Sequence, residues 1–148
     1  MRAEGSFNMI ALTPIDKVLR LQSVDVFKHA TTEMLSYIAS IAQELDALRG
    51  HTIFSEDDVS DAMYVVVGGR VRLDKAGKEV MIVNAGQSFG TWALFDNQPR
   101  VMTAVAIEDV HLLKIRSEDF YDLLSDHDDI TPVIFRAVIE RVNRLIAD

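Results

Sequence analysis

A glycine and an arginine ten residues apart, Gly90 and Arg100, are the residues whose types and spacing best suit ligand chemistry in this chain. Gly90 follows a short apolar run and precedes a short helical segment. A glycine there lets the backbone approach a ligand closely, and the first N–H groups of the helix are unpaired donors. Arg100 would add a planar, permanently charged group that binds phosphate through two hydrogen bonds. The segment is therefore predicted to bind a small anion.

The bulk composition excludes several classes of protein. The chain has 148 residues, of which 49% are hydrophobic, and this is enough for one domain with a substantial core. A net charge of −8 argues against binding to nucleic acid or to a membrane surface. The sequence has no cysteine, no apolar run long enough to insert in a membrane and no pattern of a signal peptide. We expect a cytoplasmic protein.

The elements that position the Gly90–Arg100 segment begin with helices in residues 13–44. Thr13 is a predicted helix cap with Pro14 in the first turn, and Thr31 or Thr32 is the predicted cap of a second helix. Six residues supply the apolar positions of this lead-in: Ile15, Val18, Leu19, Val24, Val26 and Phe27. In the second helix Leu35, Ile38, Ala39 and Ala42 recur at helical spacing.

From Leu45 onward the helical period gives way to short apolar runs about ten residues apart, which is typical of β-strands. Gly68-Gly69 predicts a two-residue hairpin, and Ala76-Gly77 and residues 84–86 predict the next reversals. Many short strands at this spacing indicate a jelly roll, also called a double-stranded β-helix, of about eight strands. The predicted strands are 45–49, 52–55, 62–67, 70–74, 79–83, 87–89, 101–106 and 110–116.

The helical period returns after residue 116, and it predicts two C-terminal helices, one from Ser117 and one from Pro132 to about Ala147. The predicted fold is mainly β with flanking helices. We expect one domain over 1–148. Its predicted parts are a loosely held tail (1–12), leading helices (13–44), a β-roll (45–116) and C-terminal helices (117–148).

The last helix is apolar on more than one side, although a helix that packs on one barrel needs only one apolar stripe. The second stripe could cover a pocket, touch a neighbouring domain or pair with the same helix of another chain. We predict a homodimer through the more continuously apolar stripe. The first stripe consists of Ile134, Val138, Arg141 and Leu145, and the predicted dimer interface consists of Phe135, Ile139, Val142 and Ile146.

Metal-ion and catalytic sites are not indicated. His29, His51, His111 and His127 include no His-x-His pair, which a metal-dependent jelly-roll enzyme of the cupin type needs together with a carboxylate. The acidic run 126–129 is typical of a solvated loop. No nucleophile has an evident base, and no glycine-rich nucleotide loop of the P-loop or dinucleotide type is present. We predict no metal, no catalytic residue and no enzyme activity.

The segment from Phe89 to Arg100 resembles the phosphate-binding cassette of the cyclic-nucleotide-binding domains. The residues that fit this pattern are Phe89, Gly90, Ala93, Leu94, Pro99 and Arg100. The order of elements from about Lys17 onward, with turn glycines at Gly50, Gly69 and Gly86, is also similar to the family. The resemblance implies a β-roll regulatory domain, cAMP or cGMP as the candidate ligand, and a last helix that acts as lid and dimer contact.

Three positions depart from the family pattern. Thr91 occupies the place of a glutamate that accepts a hydrogen bond from the ribose 2′-hydroxyl, and its own hydroxyl would instead cap the short helix. Val101 and Met102 occupy places of small residues and would crowd a ligand, unless they face the core of their strand. Trp92, at a variable apolar position, is expected to pack in the core. The predicted ligand site is Phe89, Gly90, Thr91, Trp92, Ala93, Arg100, Val101 and Met102.

The sequence therefore predicts a regulatory or assembly module of the cyclic-nucleotide-binding type whose nucleotide binding is weak or lost. The alternative is a genuine cAMP or cGMP sensor that controls an attached or partner effector. The site is expected to keep affinity for a phosphate-like anion through Arg100, because neither Arg100 nor the amides after Gly90 depend on the ribose contact.

Overall fold

The structure begins with two short helices. The computed structural model describes residues 11–147, so residues 1–10 of the predicted tail lie outside the described residues. Helix α1 spans Pro14–Gln22, helix α2 spans Thr32–Ile41, and a single 3-10 turn lies between them at Asp25–Phe27. The two leading helices are confirmed.

Threonine side chains cap both helices, as the sequence predicts. The Thr13 hydroxyl accepts a hydrogen bond from the Asp16 amide, and the Asp16 carboxylate accepts one from the Thr13 amide. The Thr31 hydroxyl accepts a hydrogen bond from the Met34 amide, so the second cap is Thr31 and not Thr32. These bonds satisfy amides that lack a partner in the first turn.

Most of the apolar residues in the leading part are buried, but not all of those in α1. Ile15 and Leu19 are exposed, because α1 lies at the surface and turns Leu21 towards the core. Val18 is partly buried against the core. The other apolar residues named for this part are buried: Val24, Val26, Phe27, Leu35, Ile38, Ala39 and Ala42.

Eight strands form two four-stranded antiparallel sheets, which confirms the predicted β-roll. The first sheet has the order β1-β8-β3-β6, and the second has the order β2-β7-β4-β5. The strands are β1 Gln43–Ala47, β2 Thr52–Phe54, β3 Ala62–Gly68, β4 Val71–Lys75, β5 Lys78–Val83, β6 Ser88–Phe89, β7 Thr103–Ala106 and β8 Val110–Arg116. Strand β1 lies two residues earlier than predicted, and β7 begins two residues later.

The predicted hairpin at Gly68-Gly69 is wrong. Strands β3 and β4 belong to different sheets, so the chain crosses between the sheets at this point. Gly69 has a φ of 84°, and a Cβ there would overlap the carbonyl oxygen of Asp109. The glycine serves a close approach of two chain segments as well as a turn. The hairpin predicted at Ala76-Gly77 is correct, since β4 and β5 pair.

Strand β3 is buried on both faces, which explains its uninterrupted apolar sequence. The odd-numbered residues from 63 to 67 pack under the helices, together with residues of β8. The even-numbered residues from 62 to 66 pack between the two sheets. The two cores therefore share one strand.

Two helices follow the sheets. Helix α3 spans Ser117–Asp126 and α4 spans Ile130–Ala147, so Pro132 lies in the first turn of α4 and does not begin it. Proline is tolerated there because the first-turn amides have no acceptor within the helix. No helix within residues 11–147 combines the length and apolar character that a bilayer span requires.

Helix α4 packs on the leading segment through one side only. Ile134 is buried and Val138 is partly buried, but Leu145 of the same predicted stripe is 74% exposed. The second stripe lies on the surface: Phe135 is 65% and Ile146 is 76% exposed. Helix α4 thus presents an apolar surface that its own domain does not cover.

Ion pairs bind α4 to the residues that follow α1. The Glu140 carboxylate accepts hydrogen bonds from Lys28 at 2.9 Å and from His29 at 2.8 Å. These bonds lower the pKa of Glu140 to about 2. Arg144 also donates to Asp25, at 3.1 Å. The position of the last helix is therefore coupled to the leading segment.

A buried histidine joins β8 to β1 at the edge of the first sheet. Nδ1 of His111 lies 2.5 Å from Asp46 Oδ1, and Nε2 lies 2.8 Å from Glu44 Oε1. Burial raises the pKa of Glu44, but hydrogen bonds from the Leu12 amide and from His111 together lower it further. Each ring nitrogen is engaged by a carboxylate, and no group of three or more His, Asp or Glu in residues 11–147 is placed to hold a metal ion.

Candidate functional site

All eight residues that the sequence assigns to the ligand site line one cavity of about 490 Å³. The cavity lies beside β6, the short helix after it and the segment that leads into β7. Its size falls within the range of about 300–1,000 Å³ that is typical of pockets for small organic ligands. The sequence pattern therefore brings its predicted site residues together in space, although their role in binding stays a prediction.

Gly90 opens the cassette. It follows β6 and has a φ of 67°, and a short 3-10 helix comes next at Thr91–Leu94. A Cβ at Gly90 would lie 2.7 Å from Nη1 of Arg100, so the position requires glycine for space as well as for conformation. The amides of Thr91 and Trp92 come first in the helix and have no acceptor in a preceding turn.

The Arg100 side chain is folded against this backbone. Arg100 is 6% exposed, its Nη2 donates to the carbonyl of Ala62 at 2.5 Å, and its Nη1 lies 3.5 Å from the Gly90 carbonyl. The guanidinium carbon lies 3.9 Å from the centre of the Phe54 ring. One face of the guanidinium is thus stacked on an aromatic ring, and its edge is held by backbone carbonyls.

The buried charge of Arg100 is not matched by a carboxylate at hydrogen-bond distance. Asp61 Oδ1 lies 4.0 Å from Nη2, and the Asp61 side chain is exposed. Nε of Arg100 is buried and has no hydrogen-bond partner. Burial lowers the pKa of Arg100 more than the nearby Tyr64, Asp61 and Asp58 raise it. Buried charges are normally paired, so this guanidinium has capacity for an anion.

A loop after β2 fixes the backbone of Arg100. The Arg100 amide donates to the Asp58 carbonyl at 2.9 Å, and the Asp57 amide donates to the Arg100 carbonyl at 2.8 Å. Asp57 has a φ of 70°, a conformation that glycine adopts more easily. The loop therefore forms a close turn with a residue other than glycine in the left-handed region.

Thr91 is buried and does not cap the short helix, contrary to the prediction. Its hydroxyl lies 3.2 Å from the Ser88 hydroxyl, and Gly90 occupies the cap position without a side-chain bond. One of these hydroxyls donates to the other, and the proton of the second hydroxyl stays available for a ligand. Phe89 stacks on Tyr64 with ring centres 5.2 Å apart.

Trp92 and Val101 differ from their expected orientations, whereas Met102 faces the core as one of its two readings implies. Trp92 is 43% exposed and not in the core, because the short helix turns it outward, where it packs on Phe95. Val101 is 64% exposed in a bend before β7, so it does not face the core of a strand. Met102 is half-buried against the core between the sheets.

Sequence reasoning missed several lining residues. Phe54 and Met81 line the cavity from β2 and β5, and Arg141 reaches it from α4. The Arg141 guanidinium carbon lies 4.9 Å from the centre of the Trp92 ring. A charged residue in an otherwise apolar helical stripe was the available signal for Arg141. Nothing in the local sequence distinguishes Phe54 or Met81 from ordinary strand residues.

The chain combines a double-stranded β-helix, a segment that begins with a glycine before a short helix, and a buried arginine. These features are typical of the β-roll class of domains. The family model described as "Cyclic nucleotide-binding domain" matches residues 45–127. The chain belongs to this family.

Relatives and solved structures agree with this assignment. A CRP-like cAMP-activated global transcriptional regulator of Mycobacterium tuberculosis is 25% identical over 129 residues, which are 84% of this chain and 58% of the regulator. A cAMP-dependent protein kinase regulatory subunit of Aspergillus niger is 38% identical over 62% of this chain and 24% of the subunit. The N-terminal domain of a Streptomyces coelicolor transcriptional regulator superposes with a TM-score of 0.79 at 30% identity, over 88% of this chain and 95% of that domain. The chain thus spans little more than half of the first relative's length.

Proposed function

We propose that this chain is a regulatory module that responds to a small anionic ligand held by Arg100, with weak affinity for cAMP and cGMP. The observation that supports the proposal best is the buried Arg100 guanidinium, whose Nε has no partner and whose Nη2 lies 4.0 Å from Asp61 Oδ1. An anion in the cavity would offset the cost of burying this charge. The proposed role is control of an effector or assembly without catalysis.

Weak nucleotide binding follows from Thr91. A carboxylate at this position would accept a strong hydrogen bond from a ribose hydroxyl, and a neutral hydroxyl that already pairs with Ser88 replaces it weakly. Loss of a hydrogen bond to a charged acceptor removes about 1.5–3 kcal/mol. This corresponds to roughly ten- to a hundredfold weaker binding.

The second candidate function is a genuine cyclic nucleotide sensor. The volume of the cavity and the position of Arg141 over the exposed Trp92 favour it, because a base could stack at this mouth. Under this alternative, Arg100 and the cassette amides would hold the ligand tightly without a ribose carboxylate.

Titration of the whole chain with cAMP, cGMP and inorganic phosphate tests the two functions, with the fluorescence of Trp92 and the heat of binding as readouts. Saturation by either nucleotide at micromolar concentration or below contradicts weak binding and supports the sensor. Thr91→Glu should tighten cAMP binding roughly ten- to a hundredfold if the missing carboxylate is the cause.

Substitution of the arginine tests the anion site itself. Arg100→Met and Arg100→Lys should both lose anion binding, since lysine keeps the charge without the planar group. Arg70→Met is the matched control, because Arg70 is an exposed arginine that pairs with Glu108 outside the cavity. If no ligand binds in a manner that depends on Arg100, the proposed anion site is wrong.

The proposed output is a homodimer through α4. The predicted interface residues Phe135, Ile139, Val142 and Ile146 are all exposed, and a continuous apolar surface of this kind commonly marks an interaction site. In a twofold dimer the same stripe from each chain would be buried twice. Arg141 on this helix also lines the cavity, so a ligand and a partner would act on one element. A cytoplasmic location and the absence of nucleic-acid binding by this chain stay predictions.

A further inference from the structure

Arg100 and the polar groups beside it form one end of the cavity. Arg100, the first amides of the short helix and the hydroxyls of Ser88 and Thr91 lie together beside Gly90. With one hydroxyl bonded to the other, this end offers mainly donors. It suits the oxygens of one anionic group.

The walls that lead away from this end are mainly apolar. Leu73, Met81, Trp92 and Met102 line the cavity there, whereas Phe54 stacks on Arg100 at the charged end. Two of these side chains, Trp92 and Met81, are 43% and 46% exposed and would be covered by a ligand that extends to the mouth. Covering apolar surface is favourable in proportion to the area removed from water.

The volume shows that an inorganic anion alone does not fill the site. A cavity of about 490 Å³ is of the size that takes an organic molecule of moderate size. A tetrahedral anion beside Arg100 would leave the apolar walls in contact with water. The ligand therefore has a body as well as a charged head.

The cavity offers few buried acceptors to hydroxyl groups on that body. Among the described residues that line it, Asp96 is the one acidic residue and is exposed, Gln98 is exposed as well, and Ser60 is half-buried. Ser88 and Thr91 already bond to each other at the deep end. Hydroxyls carried along the apolar walls would give up hydrogen bonds to water without replacement, which disfavours a sugar-rich body.

We infer that the site selects an organic anion with one phosphate or carboxylate head and an apolar, ring-bearing body that carries few hydroxyl groups. This inference rests on the proposed function, since it assigns a ligand class to the same anion site. The head would contact Arg100, and the body would lie along Met81 and Met102 towards Trp92.

A series of simple ligands, titrated into the whole chain and followed by calorimetry, tests the inference. The probes are inorganic phosphate, phenyl phosphate, 1-naphthyl phosphate and 1-naphthoate, with ribose 5-phosphate as the hydroxyl-rich comparison. We expect affinity to rise at least tenfold from inorganic phosphate to 1-naphthyl phosphate, while ribose 5-phosphate binds no more tightly than inorganic phosphate. A second comparison uses cAMP and 2′-deoxy-cAMP, which should bind within about threefold of each other because no carboxylate receives the 2′-hydroxyl. The carboxylate probe distinguishes a general anion head from a phosphate head.

Variants of β5 separate the body contact from the head contact. Met81→Ser should reduce the gain from phosphate to naphthyl phosphate and leave inorganic phosphate binding unchanged. Val80→Ser is the matched control, because Val80 is an exposed neighbour that does not line the cavity. Arg100→Met should abolish binding of every ligand in the series.

The outcomes are distinguishable from those of the proposed function. Binding of inorganic phosphate through Arg100 with no gain from the apolar body would overturn the inference and leave the anion site in place. Equal affinity for ribose 5-phosphate and phenyl phosphate, or a tenfold preference for cAMP over its 2′-deoxy form, would also overturn it. Absence of any binding that depends on Arg100 would remove the proposed function as well.

Discussion

Gly90→Ala is the substitution that most directly tests how the cassette holds Arg100. The φ of 67° at Gly90 is unfavourable for alanine, and this costs about 1–2 kcal/mol of stability. The added Cβ would also lie 2.7 Å from Nη1 of Arg100, so the guanidinium must move away from the cassette backbone. The movement would weaken at least one charge-assisted hydrogen bond to an anion. We expect roughly ten- to a hundredfold weaker binding of 1-naphthyl phosphate and inorganic phosphate.

Gly50→Ala separates backbone strain from the effect on Arg100. Gly50 has a φ of 89°, so alanine is strained there too, but a Cβ at this position meets nothing within 4 Å. Its expected cost in stability is likewise about 1–2 kcal/mol, without loss of ligand affinity. Gly50 thus matches Gly90 in strain and differs in its neighbours.

The assay combines urea unfolding, which measures stability, with calorimetric titration, which measures affinity, on the same preparations. If Gly90→Ala binds anions as tightly as the unmodified chain, Arg100 does not act from the position against the Gly90 backbone. If Gly50→Ala loses affinity equally, the loss follows from general destabilisation. Either result would refute the reasoning.

Three further predictions concern the rest of the fold. Ile139→Asp with Val142→Asp should convert a dimer into a monomer with intact sheets, and a monomeric unmodified chain at about 100 µM in sedimentation would contradict the proposed interface. The pKa of Glu140 is lowered from its ordinary value of 4.5 to about 2, so its ion pairs stabilise the fold fully at pH values above 4.5. This stabilisation is lost as the pH falls towards 2. The melting temperature of Glu140→Gln should therefore fall less over this pH range than that of the unmodified chain. Gly69→Ala should lower the free energy of unfolding, measured with urea, by more than about 3 kcal/mol. The reason is that its Cβ would meet the Asp109 carbonyl oxygen in addition to the backbone strain. A cost no larger than that of Gly50→Ala would show that the backbone moves to make room for the Cβ.

The sequence predicts the strand content and the location of the site because both depend on local patterns. Short β-branched runs at regular intervals identify strands, and the glycine and arginine of the cassette stand in one continuous segment. Thr13 and Thr31 were identifiable as caps for the same reason, since the bond that each one makes reaches only three residues along the chain.

What the sequence does not predict depends on contacts between distant segments. A pair of glycines is compatible both with a hairpin and with a crossover between sheets. The sequence therefore predicts a hairpin at Gly68-Gly69 where the structure has a crossover. The exposure of Trp92 depends on the direction in which a single helical turn projects, which periodicity over four residues does not fix. Arg141 lines the cavity from α4, far along the chain from the cassette, and no local pattern encodes that placement.

Two backbone hydrogen bonds to residues 57–58 hold Arg100 in place independently of the loop that precedes it. Residues 95–99 run between the end of the short helix and this fixed pair, and they lie on the surface. Insertions or deletions in that stretch would reshape the rim while the arginine keeps its place. Libraries that vary its length could therefore retune which molecules enter without rebuilding the charged end of the site.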